Sequence, residues 1–287
     1  MRVLITGSNG MLGSSLSKLL KNHDIFSFGR EELDITNREK TNSTLKDIEP
    51  QVIIHAAAYT NVEQSELDKD KAYLVNVIGT QNLVDYCIAN DVLFVYISST
   101  GIYGTKKTSH PYNEFDDVIP TTIHHKSKFE AEKIVINHLN RFLVIRTGWL
   151  FGGGIEKEKN FVYKRYLEAV SNGKIYSDPT QIGNPTYVDD LASQINILID
   201  GSYYGIYNCV NFAKNVTRLD YVRKIISLLD LDCQVEPAPE GMFKRVAPVS
   251  RNESAENLKL NLLGINIMGD WMESLEKYIN ILKASEI

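Results

Sequence analysis

A short apolar run, Arg2–Thr6, gives way at once to Gly7-Ser8-Asn9-Gly10-Met11-Leu12-Gly13, and a helical stretch, Met11–Lys21, follows without a break. Three glycines between a strand and a helix leave few architectures open. The chain must turn tightly there, an anionic ligand can approach bare backbone, and the helix N-terminus offers N–H donors and a positive dipole. The spacing is G-x-x-G-x-x-G rather than G-x-G-x-x-G, but its place at the head of a strand–helix unit reads as a dinucleotide-binding turn. Gly7, Asn9, Gly10, Met11, Leu12 and Gly13 are therefore the candidate phosphate-binding residues.

The rest of the first half repeats the rhythm. Short runs at Asp24–Ser27, Gln51–His55, Leu93–Ser98 and Phe142–Thr147 alternate with helical stretches at Lys69–Ala89 and Ser127–Leu139. Such alternation predicts an α/β fold, a Rossmann-type doubly wound parallel sheet. Runs such as VIIHAAA and LFVYISS are apolar almost throughout, as strands covered on both faces should be. After Gly152 the rhythm changes. Residues 1–150 are expected to form the dinucleotide-binding domain, with strand and helix returns near 183–210, and residues 151–287 a smaller mixed α/β substrate-binding lobe. Helical periodicity at Phe161–Asn172, Leu219–Leu229 and Trp271–Leu282 supports that division.

Composition removes several function classes. With 31 basic against 36 acidic side chains the formal charge is −5, and no cluster of Lys and Arg is present to attract nucleic acid. No eighteen apolar residues are consecutive, so no membrane insertion is expected. Cys87, Cys209 and Cys233 lie far apart, without C-x-x-C spacing, which fits reduced thiols; with no export signal read at the start, a cytoplasmic location is expected. His23, His110 and His138 have no ligand spacing with acidic residues, so no metal is expected, and His55 ends a strand beside the cofactor.

The remaining motifs carry a resemblance. The glycine spacing is that of extended short-chain dehydrogenase/reductases. His55-Ala56-Ala57-Ala58-Tyr59-Thr60, Asn76, Ser98-Ser99, Arg146-Thr147-Gly148-Trp149-Leu150-Phe151-Gly152 and Gln181-Ile182-Gly183-Asn184-Pro185-Thr186-Tyr187 together resemble the dTDP-4-dehydrorhamnose reductase family. The last two match its R-T-x-W-x-x-G and Q-x-G-x-P-T segments, and Trp271 falls where the family often has Trp. The resemblance implies reduction of a nucleotide-linked 4-keto-6-deoxy sugar by NADPH or NADH for surface polysaccharide. It assigns the adenosine end to Arg30, Asp34 and Ile35, the cofactor's middle to Ala56, Ala57 and Ala58, and the nicotinamide ribose to Lys128. Arg30 could pair bidentately with a 2′-phosphate, or sit in a solvated loop, so NADPH and NADH both stay open. Ser99 would bond the carbonyl oxygen, Asn76 would support the proton path, and Tyr59, Trp149 and Gln181 would meet the nucleotide-sugar substrate. A homodimer is expected by analogy with the fold.

One position departs from the pattern. The family's proton donor is a Tyr four residues before the active-site Lys, within Y-G-x-S-K, whereas here His124-His125-Lys126-Ser127-Lys128 stands in that register. Shifting the register does not restore it, since Tyr103 and Tyr112 lie well outside the spacing. Three readings follow: His124 is itself the acid, although Lys128 and the nicotinamide charge would lower its pKa; the site binds nucleotides as a regulatory or scaffold protein; or related sugar-nucleotide chemistry, reductive or epimerising, uses another acid such as Tyr59 or Tyr103.

Overall fold

The computed structural model describes residues 1–105, 110–157 and 159–285. The N-terminal half runs β1 (Arg2–Thr6), α1 (Met11–Leu19), β2 (Asp24–Phe28), α2 (Arg38–Ile48), β3 (Val52–His55), α3 (Val62–Leu67), α4 (Lys69–Tyr73), a π-helical turn (Leu74–Ile78), α5 (Gly79–Asn90), β4 (Leu93–Ser99), a 3₁₀ turn (Thr100–Tyr103), α6 (Ile123–His138) and β5 (Phe142–Thr147). Then come β6 (Trp149–Phe151), α7 (Phe161–Ser171), β7 (Lys174–Ser177), β8 (Pro185–Tyr187), α8 (Val188–Asp200), β9 (Gly205–Asn208), α9 (Arg218–Leu229), β10 (Gln234–Pro237), α10 (Leu258–Leu262) and α11 (Trp271–Ala284).

Six strands pair in parallel in the order β2-β1-β3-β4-β5-β9. The apolar strand runs are explained by burial on both faces: Val3, Leu4 and Ile5, all four residues of β3, and Leu93 to Ser98 in β4 are buried. One apolar cluster joins Val3, Ile5 and Val95 to α1 and α8, and a second joins Leu4, Ile53 and Phe94 to α5 and α6. Each such fully buried Ile, Leu or Phe contributes about 1.5–3 kcal/mol. The sheet order reverses direction between β1 and β3. In open parallel sheets that is where the loops at the carboxyl ends of the strands part and leave a crevice.

Three differences from the expected elements bear on the site. The helix expected over Lys69–Ala89 is broken by the π turn, which buries Asn76. Helix α6 begins at Ile123 rather than Ser127, because the Thr122 side chain caps it by accepting from His125 N; His124 and His125 thus occupy its first turn. Beyond β5 the chain forms two small parallel pairs, β6 with β8 and β7 with β10, while β9 returns to the main sheet.

Candidate active site

A cleft of about 750 Å³ opens at the carboxyl ends of the strands. It is lined by Gly7, Asn9, Gly10, Met11, Leu12, Gly13, Arg30, Asp34, Ile35, Ala56, Ala57, Ala58, Tyr59, Ser99, His124, Lys128 and Trp149. Asn76 and Gln181 are not on its wall. Thr60, Thr147, Gly148, Leu150, Glu156, Lys157, Lys159 and Arg218 line it too, without having been expected from the sequence.

The phosphate turn is built by steric necessity. Gly7 sits at φ 71°, and a Cβ there would lie 2.6 Å from Ala57 N, so only glycine lets the β1 turn close on the β3 turn. Gly10 caps α1 without a side chain, and no acidic residue occupies the first helical turn. The first-turn amides consequently face the cleft with neither a capping oxygen nor a carboxylate to compete for them, an arrangement that fits a pyrophosphate. Farther along, Arg30 Nε lies 3.8 Å from Asp34 Oδ2, both on the cleft wall.

At the centre of the cleft the titratable groups face one another. His124 Nδ1 is 3.0 Å from the Tyr59 carbonyl oxygen. A carbonyl only accepts, so Nδ1 carries the hydrogen and the neutral ring keeps its lone pair on Nε2. Burial, followed by the neighbouring His125 and Lys128 charges, holds the His124 pKa well below the ordinary value. His124 is therefore neutral near pH 7 and has no proton to give from Nε2. Lys128 is 4% exposed, with Nζ 4.2 Å from the Tyr96 ring centroid, and burial pushes its ammonium down to about 7 against the upward pull of Glu132. Ser99 Oγ accepts from Gly101 N at 3.2 Å and lies 3.5 Å from His125 Nε2, whose other nitrogen is 3.1 Å from Thr122 Oγ1. His55 is buried between Thr6 Oγ1 (2.8 Å) and Thr80 Oγ1 (3.1 Å), and burial first, then Lys128, depresses it to about 3: it ties β1 to β3.

Asn76 acts one layer behind the wall. Its Oδ1 accepts from Tyr59 N at 2.7 Å, and its Nδ2 donates to Tyr59 O and to Ser127 Oγ, so the π turn fastens the Tyr59 loop to α6. Tyr103, an alternative acid by sequence, is removed by its position: it is fully buried, stacked on Tyr112 with centroids 4.8 Å apart, and its hydroxyl donates to Asn208. It also receives a hydrogen bond from Arg146. That Arg pairs bidentately with Glu132 (2.8 and 3.2 Å), locking β5 to the helix that carries Lys128.

Trp149 forms another part of the cleft wall. Its Nε1 donates to Glu253 Oε2 at 2.8 Å, and a Cβ on Gly183 would collide with the indole, which gives the glycine of the Gln181–Tyr187 segment its physical reason. Asn184 O accepts from Trp149 N at 2.8 Å. Arg218, at the start of α9, lies with Cζ 3.4 Å from the centroid of the indole, and its Nε donates to Gln181 Oε1 at 3.4 Å. Gln181 thus positions a wall residue without being one.

Comparison with known proteins agrees with this geometry. The family described as RmlD substrate binding domain matches residues 1–284. A dTDP-4-dehydrorhamnose reductase of Aggregatibacter actinomycetemcomitans is 37% identical over 217 residues, 72% of each chain. The solved dTDP-4-dehydrorhamnose reductase of Clostridium acetobutylicum is 32% identical and superposes with a TM-score of 0.94 over 99% of this chain and 100% of the other. That of Bacillus anthracis, solved in complex with NADP, is 33% identical, with a TM-score of 0.91 over 97% and 98% of the two chains. A fold, a cleft and a sequence match that run together along nearly the whole length place the chain in the dTDP-4-dehydrorhamnose reductase (RmlD) family.

Proposed function

We propose that this protein reduces the 4-keto group of a dTDP-linked 6-deoxy sugar with NADPH, for polysaccharide synthesis, and that Lys128 rather than His124 delivers the proton. One observation carries the reading: a phosphate-binding turn, a buried amine with no hydrogen-bond partner among the described residues, and a Trp–Arg platform all line one cleft. The relatives' names and the NADP complex of the Bacillus anthracis protein support the choice of substrate and cofactor.

When bound, the reduced nicotinamide supplies the hydride. The α1 amides and the Gly7–Gly13 turn hold its pyrophosphate, and Arg30 takes the 2′-phosphate that distinguishes NADPH. Asp34, Ile35 and Ala56–Ala58 shape the adenosine and ribose walls. The Ser99 hydroxyl, whose oxygen accepts from Gly101 N, donates its hydrogen to the ketone oxygen. As the ketone gains a hydride its oxygen becomes an alkoxide, and the Lys128 ammonium gives it a proton and is left as the amine. His124, a neutral acceptor at Nε2, receives a hydroxyl of the sugar or ribose, while Trp149 and Tyr59 wall the sugar and keep water out.

The same reading assigns residues 1–150, with the return at 183–210, to cofactor and residues 151–287 to substrate. It takes the protein to be cytoplasmic, which its free, buried Cys87 and Cys209 thiols support. It also takes it to be a homodimer, for which the half-exposed Leu74 and Ile78, one turn apart, offer an apolar contact; light scattering tests that. The deciding experiment is NADPH oxidation with freshly generated dTDP-4-keto-6-deoxy sugar. Turnover is expected in the wild type and not in K128M; cofactor binding without any turnover by the wild type would make the protein a nucleotide-binding, non-catalytic relative.

A further inference from the structure

Arg218 is a cation in an unusual setting. It lines the cleft and is half-buried, with its guanidinium stacked on the Trp149 indole. Among the described residues it makes no ion pair: its side chain donates to the neutral Gln181 Oε1, from Nε. The nearby carboxylate of Glu253 is engaged by Trp149 Nε1. Holding a guanidinium partly out of water is costly; the Glu253 and Asp178 carboxylates offset part of that cost from beyond ion-pair distance, and an anion seated on the guanidinium itself offsets more. Burial lowers its pKa only to about 10, so the charge is present throughout the physiological range.

The geometry selects the anion. With Nε committed to Gln181 and one face covered by the indole, the two terminal amino groups remain as a planar fork, which matches the paired oxygens of a phosphate. Thr217 fixes the residue at the start of α9 through a reciprocal cap with Asp220, so the fork is held rather than swinging on a loop. The first-turn amides that fit the cofactor's pyrophosphate belong to α1, whereas Arg218 belongs to α9 and sits on the Trp149 indole of β6, on the wall of the same cleft.

We propose that Arg218, pre-aligned by Gln181 and Trp149, is the residue that reads the diphosphate of the sugar nucleotide, and so sets the preference for a nucleoside diphosphate over a monophosphate. This rests on the sugar-nucleotide reading above, and the test keeps the two apart. Calorimetric titrations of the wild type, R218M and R218K with dTDP, dTMP and NADPH are run beside the NADPH oxidation assay, with thermal melts to establish folding. The wild type is expected to prefer dTDP over dTMP by about tenfold or more, the worth of one charge-assisted bidentate contact. R218M should lose most of that preference with dTMP and NADPH affinities nearly unchanged, and R218K, which keeps the charge but not the fork, should fall between them.

A wild type with no diphosphate preference, or a folded R218M or R218K that retains all of it, would overturn the assignment. Loss of NADPH affinity in place of dTDP affinity would overturn it too, by moving Arg218 to the cofactor. Retained preference in a variant whose parent turns over leaves the reductase reading standing without Arg218; lost preference in a protein whose parent never oxidises NADPH leaves the diphosphate site standing without the reductase.

Discussion

The assignment of the proton to Lys128 makes a prediction with a worked magnitude. Single-turnover oxidation of enzyme-bound NADPH by the keto sugar should follow the fraction of Lys128 that is protonated, with its midpoint at about 7. For one group titrating there, roughly nine-tenths of the enzyme is competent one pH unit below and roughly one-tenth one unit above, so the rate should fall about tenfold across those two units. The sign follows from the role: an acid must be protonated, so activity is lost as pH rises. Stopped-flow fluorescence of bound NADPH, at saturating substrate, isolates this step from product release. His124 as the acid would place the decline well below 6.5, because burial and its charged neighbours depress that ring. H124Y supplies an independent arm: a phenol four residues before Lys128 replaces the ammonium as donor, and the alkaline fall should move upward while K128M stays inactive. A rate that is flat through 6 to 9, or a folded K128M that binds NADPH and keeps its rate, would refute the argument.

Other outcomes are expected from the same structure. G7A forces a left-handed conformation, costing about 1–2 kcal/mol, and drives a methyl into the Ala57 backbone; calorimetry should find NADPH binding abolished and the thermal midpoint lowered. E132Q leaves the buried Arg146 guanidinium without its charge partner and should destabilise the fold by about 3–5 kcal/mol in urea unfolding, while in any folded fraction the Lys128 midpoint moves down. G183A pushes the Trp149 indole aside, so KM for the sugar nucleotide should rise with the NADPH Kd unchanged. His55 is depressed to about 3 in the fold, so its contribution is fully present above the unfolded value near 6.5 and is lost as pH falls toward 3; urea midpoints should drop through that window, less steeply in H55Q.

What the sequence reveals and conceals here follows from what kind of contact each residue makes. The sheet strands are legible because burial on both faces writes itself into composition, and the glycine turn because backbone approach admits no side chain. Helix α2 is not legible: only Thr41 and Leu45 of its residues are buried, so its apolar stripe is too thin to register, and β7, β8 and β10 span only three or four residues each. Asn76 and Gln181 are conspicuous in sequence, yet a polar residue in a motif carries no sign of which way it faces, and both turn toward the wall's supports. Arg218 is silent for the opposite reason, since its meaning comes from a fold that lays the start of α9 on the indole of β6, far away along the chain. The His124-His125 pair lies between these cases. Its register is readable from Lys128, one helical turn on, but its consequence is not. The His125 ring fills the space over Gly101, where any Cβ would collide with it, and there it meets Ser99. The pair therefore brings two imidazoles to the start of α6. His125 touches Ser99, and of His124 and Lys128, Lys128 is the one that burial brings to about 7. That is why the pH profile and the H124Y variant, rather than activity alone, decide how this member of the family moves its proton.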